Sequence, residues 1–223
     1  QSSIWDCSVV DRSVLTALSL DGAYMINDAS PITAAACQDT GNLHAHTWLW
    51  KQSITTGSTH NIASLWLMAI GVSGTAGLAY DRLFALRLDL FAGNTYAEDN
   101  TKTSNTNSTY DTALSVAPTT VNGADYLLLS DSIVEYNATT VSMKGRIQKD
   151  SVTIFGETAS EMASGGYGTQ TGASYIYTGD GTTDTWNIDM QTESGTTAHY
   201  FYGAMILIQL TAGRIVFAEP SSY

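Results

Sequence analysis

Positive charge is what this chain has least of. Its 223 residues carry 9 Lys and Arg against 21 Asp and Glu, a formal net charge of −12. A phosphate backbone is gripped by clustered Lys and Arg, so this balance excludes nucleic acid as a partner. Charge of either sign is scarce, 13% of residues, where roughly a quarter is usual. With so little Glu, Lys and Arg, the chain is poorly supplied for solvated helices. Only two cysteines occur, Cys7 and Cys37, with no CxxC spacing and no adjacent histidine. That excludes a zinc site and leaves two readings, a pair of small buried hydrophobes or a disulfide formed in an oxidising setting. Long hydrophobic runs are missing too. One uncharged stretch, Asn61 to Tyr80, is interrupted by Ser64, Gly71, Ser73, Gly74, Thr75 and Gly77. It reads as a strand, a turn and a second strand rather than a membrane span. The chain begins at Gln1, which reads as a processed or excised product, and no secretory leader is visible.

What fills the gap is Thr, Ser, Gly, Ala and Asn between apolar residues, which make up 43% of the chain. That mixture suits short strands joined by turns. Period-two alternation recurs. Val141, Met143, Gly145 and Ile147 fall on one face of "TTVSMKGRIQK" and Ser142, Lys144, Arg146 and Gln148 on the other. Trp186, Ile188 and Met190 alternate with Asn187, Asp189 and Gln191, and Phe84, Leu86, Leu88 and Leu90 alternate with Ala85, Arg87 and Asp89. "DYLLLSDSIVEY" and "GAMILIQL" alternate less, as strands covered on both faces do. Turn pairs punctuate these runs at Asp21-Gly22, Ser73-Gly74, Asn122-Gly123, Gly165-Gly166, Gly179-Asp180-Gly181 and Ser194-Gly195. The fold class predicted is all-β, antiparallel sandwiches of the jelly-roll kind with few or no helices.

The chain also repeats itself. "SGTAGLAYDRLFALRLDLFAG", Ser73 to Gly93, lines up with "SGTTAHYFYGAMILIQLTAG", Ser194 to Gly213. "DGAYMIND" from Asp21 resembles "NGADYLLLSD" from Asn122. The pattern predicts tandem sandwiches, 1–98 and 112–223, joined by a polar linker at 99–111. The first unit is the shorter and reads as incomplete or completed by a neighbouring chain, with Leu86–Leu90 and Ile206–Leu210 as equivalent late strands.

No catalytic constellation is present: no GxSxG, P-loop, HExxH or GxGxxG. The chain is therefore read as a non-enzyme without a resident cofactor. Four weaker candidates remain for metal. Asp180 and Asp184 lie among glycines and threonines in "YTGDGTTDT", where carboxylates and carbonyls could hold calcium, although the EF-hand pattern is absent. His44 and His46 share a strand face but lack an evident third ligand. Trp48 and Trp50 continue that face as an aromatic stripe, readable as core, as subunit interface, or as a platform for stacking sugar rings.

The second unit, Tyr110 to Leu210, runs through "NGADYLLLSDSIVEYNATTVSMKGRIQKDSV", a Gly/Ser-rich middle, "TDTWNIDMQTESGTT" and "GAMILIQL". It resembles the TNF/C1q-like jelly rolls that recur in bacteriophage decoration proteins and fibres. The resemblance implies a homotrimeric, non-enzymatic virion subunit, with the strand Gly203–Leu210 near the trimer axis. The expected function is accordingly a capsid decoration (cement) or fibre/spike protein at the virion surface or outside the cell. It would assemble with itself and with a capsid lattice through Trp48, Trp50, Tyr200, Phe201, Leu207 and Ile208. Two alternatives stand beside it, a carbohydrate-binding module or adhesin with a glycan partner, and a subunit of an extracellular filament. No membrane partner is expected.

Overall fold

The computed structural model describes residues 2–7, 12–24, 32–37, 43–47, 49, 51, 53–54, 57–68, 76–82, 85–91, 93–99, 101, 103–136, 141–162, 166–168, 172–192 and 197–210. Seventeen strands and one short 3-10 turn account for most of them, and every strand pairing is antiparallel. The all-β sandwich class read from the sequence is the one observed.

The first half of the chain supplies seven strands: β1 (Ser2–Cys7), β2 (Arg12–Leu20), β3 (Ala23–Tyr24), β4 (Ile32–Cys37), β5 (Leu43–Thr47), β6 (Ile62–Met68) and β7 (Ala76–Arg82). They form two sheets. One runs β5-β1-β7, and in the other β2 pairs with β3, β4 and β6. Asp21-Gly22 turns the chain between β2 and β3 with both residues at positive φ, 52° and 83°, the geometry a two-residue hairpin needs.

The second half follows with β8 (Thr95–Asp99), β9 (Thr103–Asn105), β10 (Asp111–Val116), β11 (Asp125–Tyr136), β12 (Val141–Lys149), β13 (Val152–Met162), β14 (Gly166–Gly168), β15 (Ala173–Thr178), β16 (Trp186–Thr192) and β17 (Ala198–Gln209). A four-stranded sheet, β10-β16-β12-β13, faces a six-stranded one in which β11 and β17 are central, β14 and β15 flank β11, and β8 and β9 flank β17. The core between them is filled by Trp186, Ile188 and Ile147 from one sheet and Tyr126, Leu128, Met205 and Leu207 from the other. All seven are at most 2% exposed. This is the inward set that the period-two patterns of β12 and β16 predict.

Two sequence expectations are revised. The alternating run at Leu86–Leu90 is not a strand. Residues 85–87 are irregular and Leu88–Leu90 forms the 3-10 turn. Its backbone polar groups are met locally: Leu90 N donates to Arg87 O, Phe91 N donates to Leu88 O, and Asn94 Nδ2 donates to the carbonyls of Leu88 and Phe91. Arg87 closes onto Asp89 two residues on, at 3.1 and 2.5 Å. With those groups satisfied, no ladder partner is needed, and the alternation survives only as Leu86, Leu88 and Phe91 dipping onto a neighbouring sheet. Leu86–Leu90 and Ile206–Leu210 are therefore not equivalent strands. The second revision concerns 99–111. Thr103–Asn105 within it is a strand on β17, and β8, just before it, is another.

Candidate functional site

β17 shows what the weakly alternating strands are for. Met205 and Leu207 face the inter-sheet core, while Ile206 and Ile208 face the opposite way and are just as buried. The outward residues are covered by Phe91, Leu86 and Leu88 from the irregular stretch before β8, by Leu49, and by Tyr96 and Leu129 on the sheet itself. Lys51 places its ammonium over the Tyr96 ring, 5.2 Å from the centroid. The centre of the six-stranded sheet, at β17, is thus covered on both faces by the chain's own segments.

Asp131 lies on that outward face. Antiparallel register sets it opposite Ala204, with Glu98 on the far side of β17. It is fully buried, and its Oδ2 accepts the backbone N–H of Leu49 at 3.1 Å. Burial pushes its carboxyl up to about 7, against hydrogen bonds from Leu49 and Ser132 that pull the other way. The carboxyl therefore fixes the covering segment to the sheet.

A second polar group sits on the outer side of the four-stranded sheet. Asp189, 3% exposed, takes Arg146 Nε at 3.0 Å on one oxygen and Thr112 Oγ1 at 2.9 Å on the other. The Arg146 guanidinium also lies over the Tyr110 ring, 3.8 Å from its centroid. These contacts tie β10, β12 and β16 together, and each charge is spent on another protein group.

The third polar group closes one end of the sandwich, where the β10–β11, β12–β13 and β15–β16 connections meet. Gly123 N donates to Gly179 O, Thr120 N to Thr182 O, Asp184 N to Pro118 O and Asp150 N to Thr185 O, at 2.8 to 3.1 Å. Thr185 N returns a bond to Asp150 Oδ1 at 2.8 Å. Inside this brace the Lys149 ammonium lies 2.7 Å from Asp184 Oδ1 and 3.0 Å from Asp150 Oδ2. Burial pulls the Lys149 ammonium down and the two carboxylates push it up, leaving it above its usual range. Asp150 is held below the usual carboxylate range, first by the Thr185 N–H and then by Lys149. Val121 and Val152 stand exposed beside the brace, at 54% and 63%.

The candidate residues from the sequence fall as follows. Asp180 and Asp184 are near in sequence but differ in setting. Asp180 is exposed and its Oδ1 accepts from Thr182 N and Oγ1. Asp184 is 1% exposed and faces the Lys149 ammonium. The two carboxylates that the sequence sets together as a calcium candidate thus have different partners, Thr182 for Asp180 and Lys149 for Asp184. Among the described residues no group of three or more His, Cys, Asp and Glu side chains is placed to hold a metal. His44 and His46 lie on β5, opposite Trp5 and Ser3 of β1, and their side chains fall outside the described residues. His60 meets Asp21 Oδ2 at 2.8 Å and His199 meets Ser104 Oγ at 2.9 Å. Trp48 and Trp50 lie outside the described residues. Cys7 ends β1 and Cys37 ends β4, in different sheets, and their side chains too fall outside the described residues.

Tyr200, Leu207 and Ile208 are 2%, 0% and 0% exposed within the single chain. Within the single chain these side chains are core, and an interface role for them is not shown. The long apolar strand at the centre of the sheet is core on both faces. Phe201 is the extra residue of a bulge, where β17 passes from Tyr200 opposite Val134 to Tyr202 opposite Ile133. Its side chain lies outside the described residues. Lys149 and Asp131 were missed. Lys149 occupies the next inward position after Ile147, and Asp131 interrupts an apolar run. Both are sequence signals of a charge set on an apolar face, where it needs a partner.

No protein-family model matches the chain, and no curated protein matches it. Solved structures do. The chain is similar to the VP2 subviral particle of infectious bursal disease virus, at 9% identity and a TM-score of 0.37 over 93% of this chain and 55% of that one. It is also similar to structures of infectious bursal disease virus strains Gx and Gt, at 10% and 9% identity, each with a TM-score of 0.39 over 96% of this chain and 56% of the other. The chain spans about half the length of these structures. These three structures come from infectious bursal disease virus and not from a bacteriophage decoration protein or fibre.

Proposed function

We propose that the chain is a structural, non-enzymatic subunit of a virion. The observation that carries this reading is the sheet centre at β17, covered on both faces, together with polar groups spent on one another. Asp189 holds Arg146 and Thr112, Lys149 holds Asp184 and Asp150, and Asp131 anchors the outer covering. Such packing makes a rigid block, which suits repetitive assembly through its surfaces.

The finer reading is a decoration (cement) or fibre/spike subunit at the virion surface, assembling with copies of itself as a homotrimer and with other virion proteins. With Leu207 and Ile208 consumed by the core, the exposed Val121 and Val152 at the braced end, and Ile54 and Leu90, become the apolar contacts on offer. The two-unit organisation remains part of the proposal, with its division moved ahead of Thr95, because β8 adds to the β17 sheet.

Light scattering on a sizing column tests the assembly. A mass of three times 23.8 kDa is the expected result. A monomer that also fails to bind or form particles in electron micrographs would overturn it.

A further inference from the structure

The braced end of the sandwich holds more than an ion pair requires. We propose that Lys149 and Asp184 are the two halves of an intramolecular isopeptide bond, an amide between Lys149 Nζ and Asp184 Cγ, with Asp150 relaying the proton.

The geometry is that of a reacting pair. Lys149 Nζ lies 2.7 Å from Asp184 Oδ1, so the ion pair already holds the amine nitrogen against the carboxyl group it would attack. Lys149 pairs with Trp186 across β12 and β16, so its stem continues the inward face of Ile147 rather than the outward face of Lys144 and Arg146. Asp184 is 1% exposed, and its Oδ2 has no hydrogen-bond partner among the described residues. An amide between the two groups removes both charges of the ion pair at once. The rings of Tyr177 and Trp186, 4.8 Å apart between centroids, belong to the core that buries Asp184, while the Lys149 side chain is 24% exposed and reaches the pair from the rim.

Asp150 is held in place for the third role. It and Ser151 sit at positive φ, 48° and 68°, in a two-residue hairpin tip where Asn-Gly is the relaxed choice. A non-glycine pair in this conformation is strained. This tip holds the Asp150 carboxylate 3.0 Å from Lys149 Nζ, with Oδ1 accepting the Thr185 N–H and the Asp150 backbone N–H donating to Thr185 O.

The chemistry balances without an oxidant or co-reactant. Within the ion pair, one proton passes from the Lys149 ammonium to the Asp184 carboxylate, leaving a neutral amine and a neutral acid. The amine lone pair attacks Cγ, and the new N–C bond forms as the carbonyl π bond opens onto oxygen. The Asp150 carboxylate takes a proton from the nitrogen and delivers it to the departing hydroxyl. The C–O bond breaks, water leaves, and Asp150 is a carboxylate again. Because the resting state is the ion pair, the neutral pair is a minor species and the reaction is slow.

The test is the intact mass of the full chain under denaturing conditions, read fresh and after incubation of the folded protein, with peptide mapping. The expected result is a chain one water lighter than its sequence and a branched peptide joining Lys149 to Asp184. Lys149→Arg preserves the ion pair but cannot form the amide, so it should keep the full sequence mass. Asp150→Ala should slow the loss of water relative to the unmodified chain. A folded, aged wild-type chain at full sequence mass overturns the proposal. So does a water loss that maps to a linear peptide at Asp21-Gly22 or Asp180-Gly181, where a succinimide would form instead.

Discussion

The two faces of β17 differ in what covers them, although the residues are alike. Met205 and Leu207 look inward at Trp186, Ile188 and Ile147, side chains carried on hydrogen-bonded strands. Ile206 and Ile208 look outward at Phe91, Leu86 and Leu88, carried on a short irregular stretch with a single 3-10 turn, and at Leu49. The inner cover is positioned by ladders and cannot follow a shrinking side chain. The outer cover is held by a few local bonds and by the Asp131 carboxyl, so it can shift. The same burial should therefore be worth more on the inner face.

The largest expected effect breaks the inner face. Trp186→Ala should destabilise the fold by about 3–5 kcal/mol, because the rigid sheets cannot close on the cavity. Chemical denaturation would show it as a lower midpoint with an unchanged slope. Asp131→Asn probes the anchor of the outer cover. The Asp131 pKa is raised from 3.8 to about 7 in the folded chain, so the native state binds more protons than the unfolded state between those values. Its contribution is fully present below pH 4, is lost as pH rises to about 7, and is flat above. The wild type should lose on the order of a few kcal/mol across that window, and the Asn variant should lose less. Denaturation midpoints at pH 5 and pH 8 measure both, and equal slopes with pH would refute the assignment.

Ile208→Ala should cost about 2 kcal/mol, the low end for such truncations, because the outer segment can settle into the space. A cost equal to that of Leu207→Ala would erase the distinction between the faces. Gly203→Ala should cost about 1–3 kcal/mol, since the new Cβ would run into the hydroxyl end of the buried Tyr200 ring. Thermal melts would rank these two. Smallest of all, Val152→Ser should change folding stability by less than about 0.5 kcal/mol, and a lowered solution mass in that variant would mark the braced end as an assembly surface.

Much of this was legible in the sequence. The alternation of Trp186, Ile188 and Met190 named the inward face of β16, and the weak alternation of "GAMILIQL" named a strand covered twice. The run Phe84, Leu86, Leu88 and Leu90 misled because alternation reports only which side chains point toward a surface. An irregular segment lying flat on a sheet satisfies that pattern as well as a strand does. Likewise, Asp184 and Asp180 share a short glycine-rich stretch, and nothing local says that one of them turns inward to a lysine from another strand.

The sequence by itself determined the class of structure, because hydrophobic period, turn residues and scarce charge are local properties. Only the tertiary structure decided who meets whom. It placed β8 and β9 on β17, gave Leu207 and Ile208 to the chain's own core, and brought Lys149, Asp150 and Asp184 to one point. Those outcomes depend on strand order and register, which are set by contacts between residues far apart in the chain.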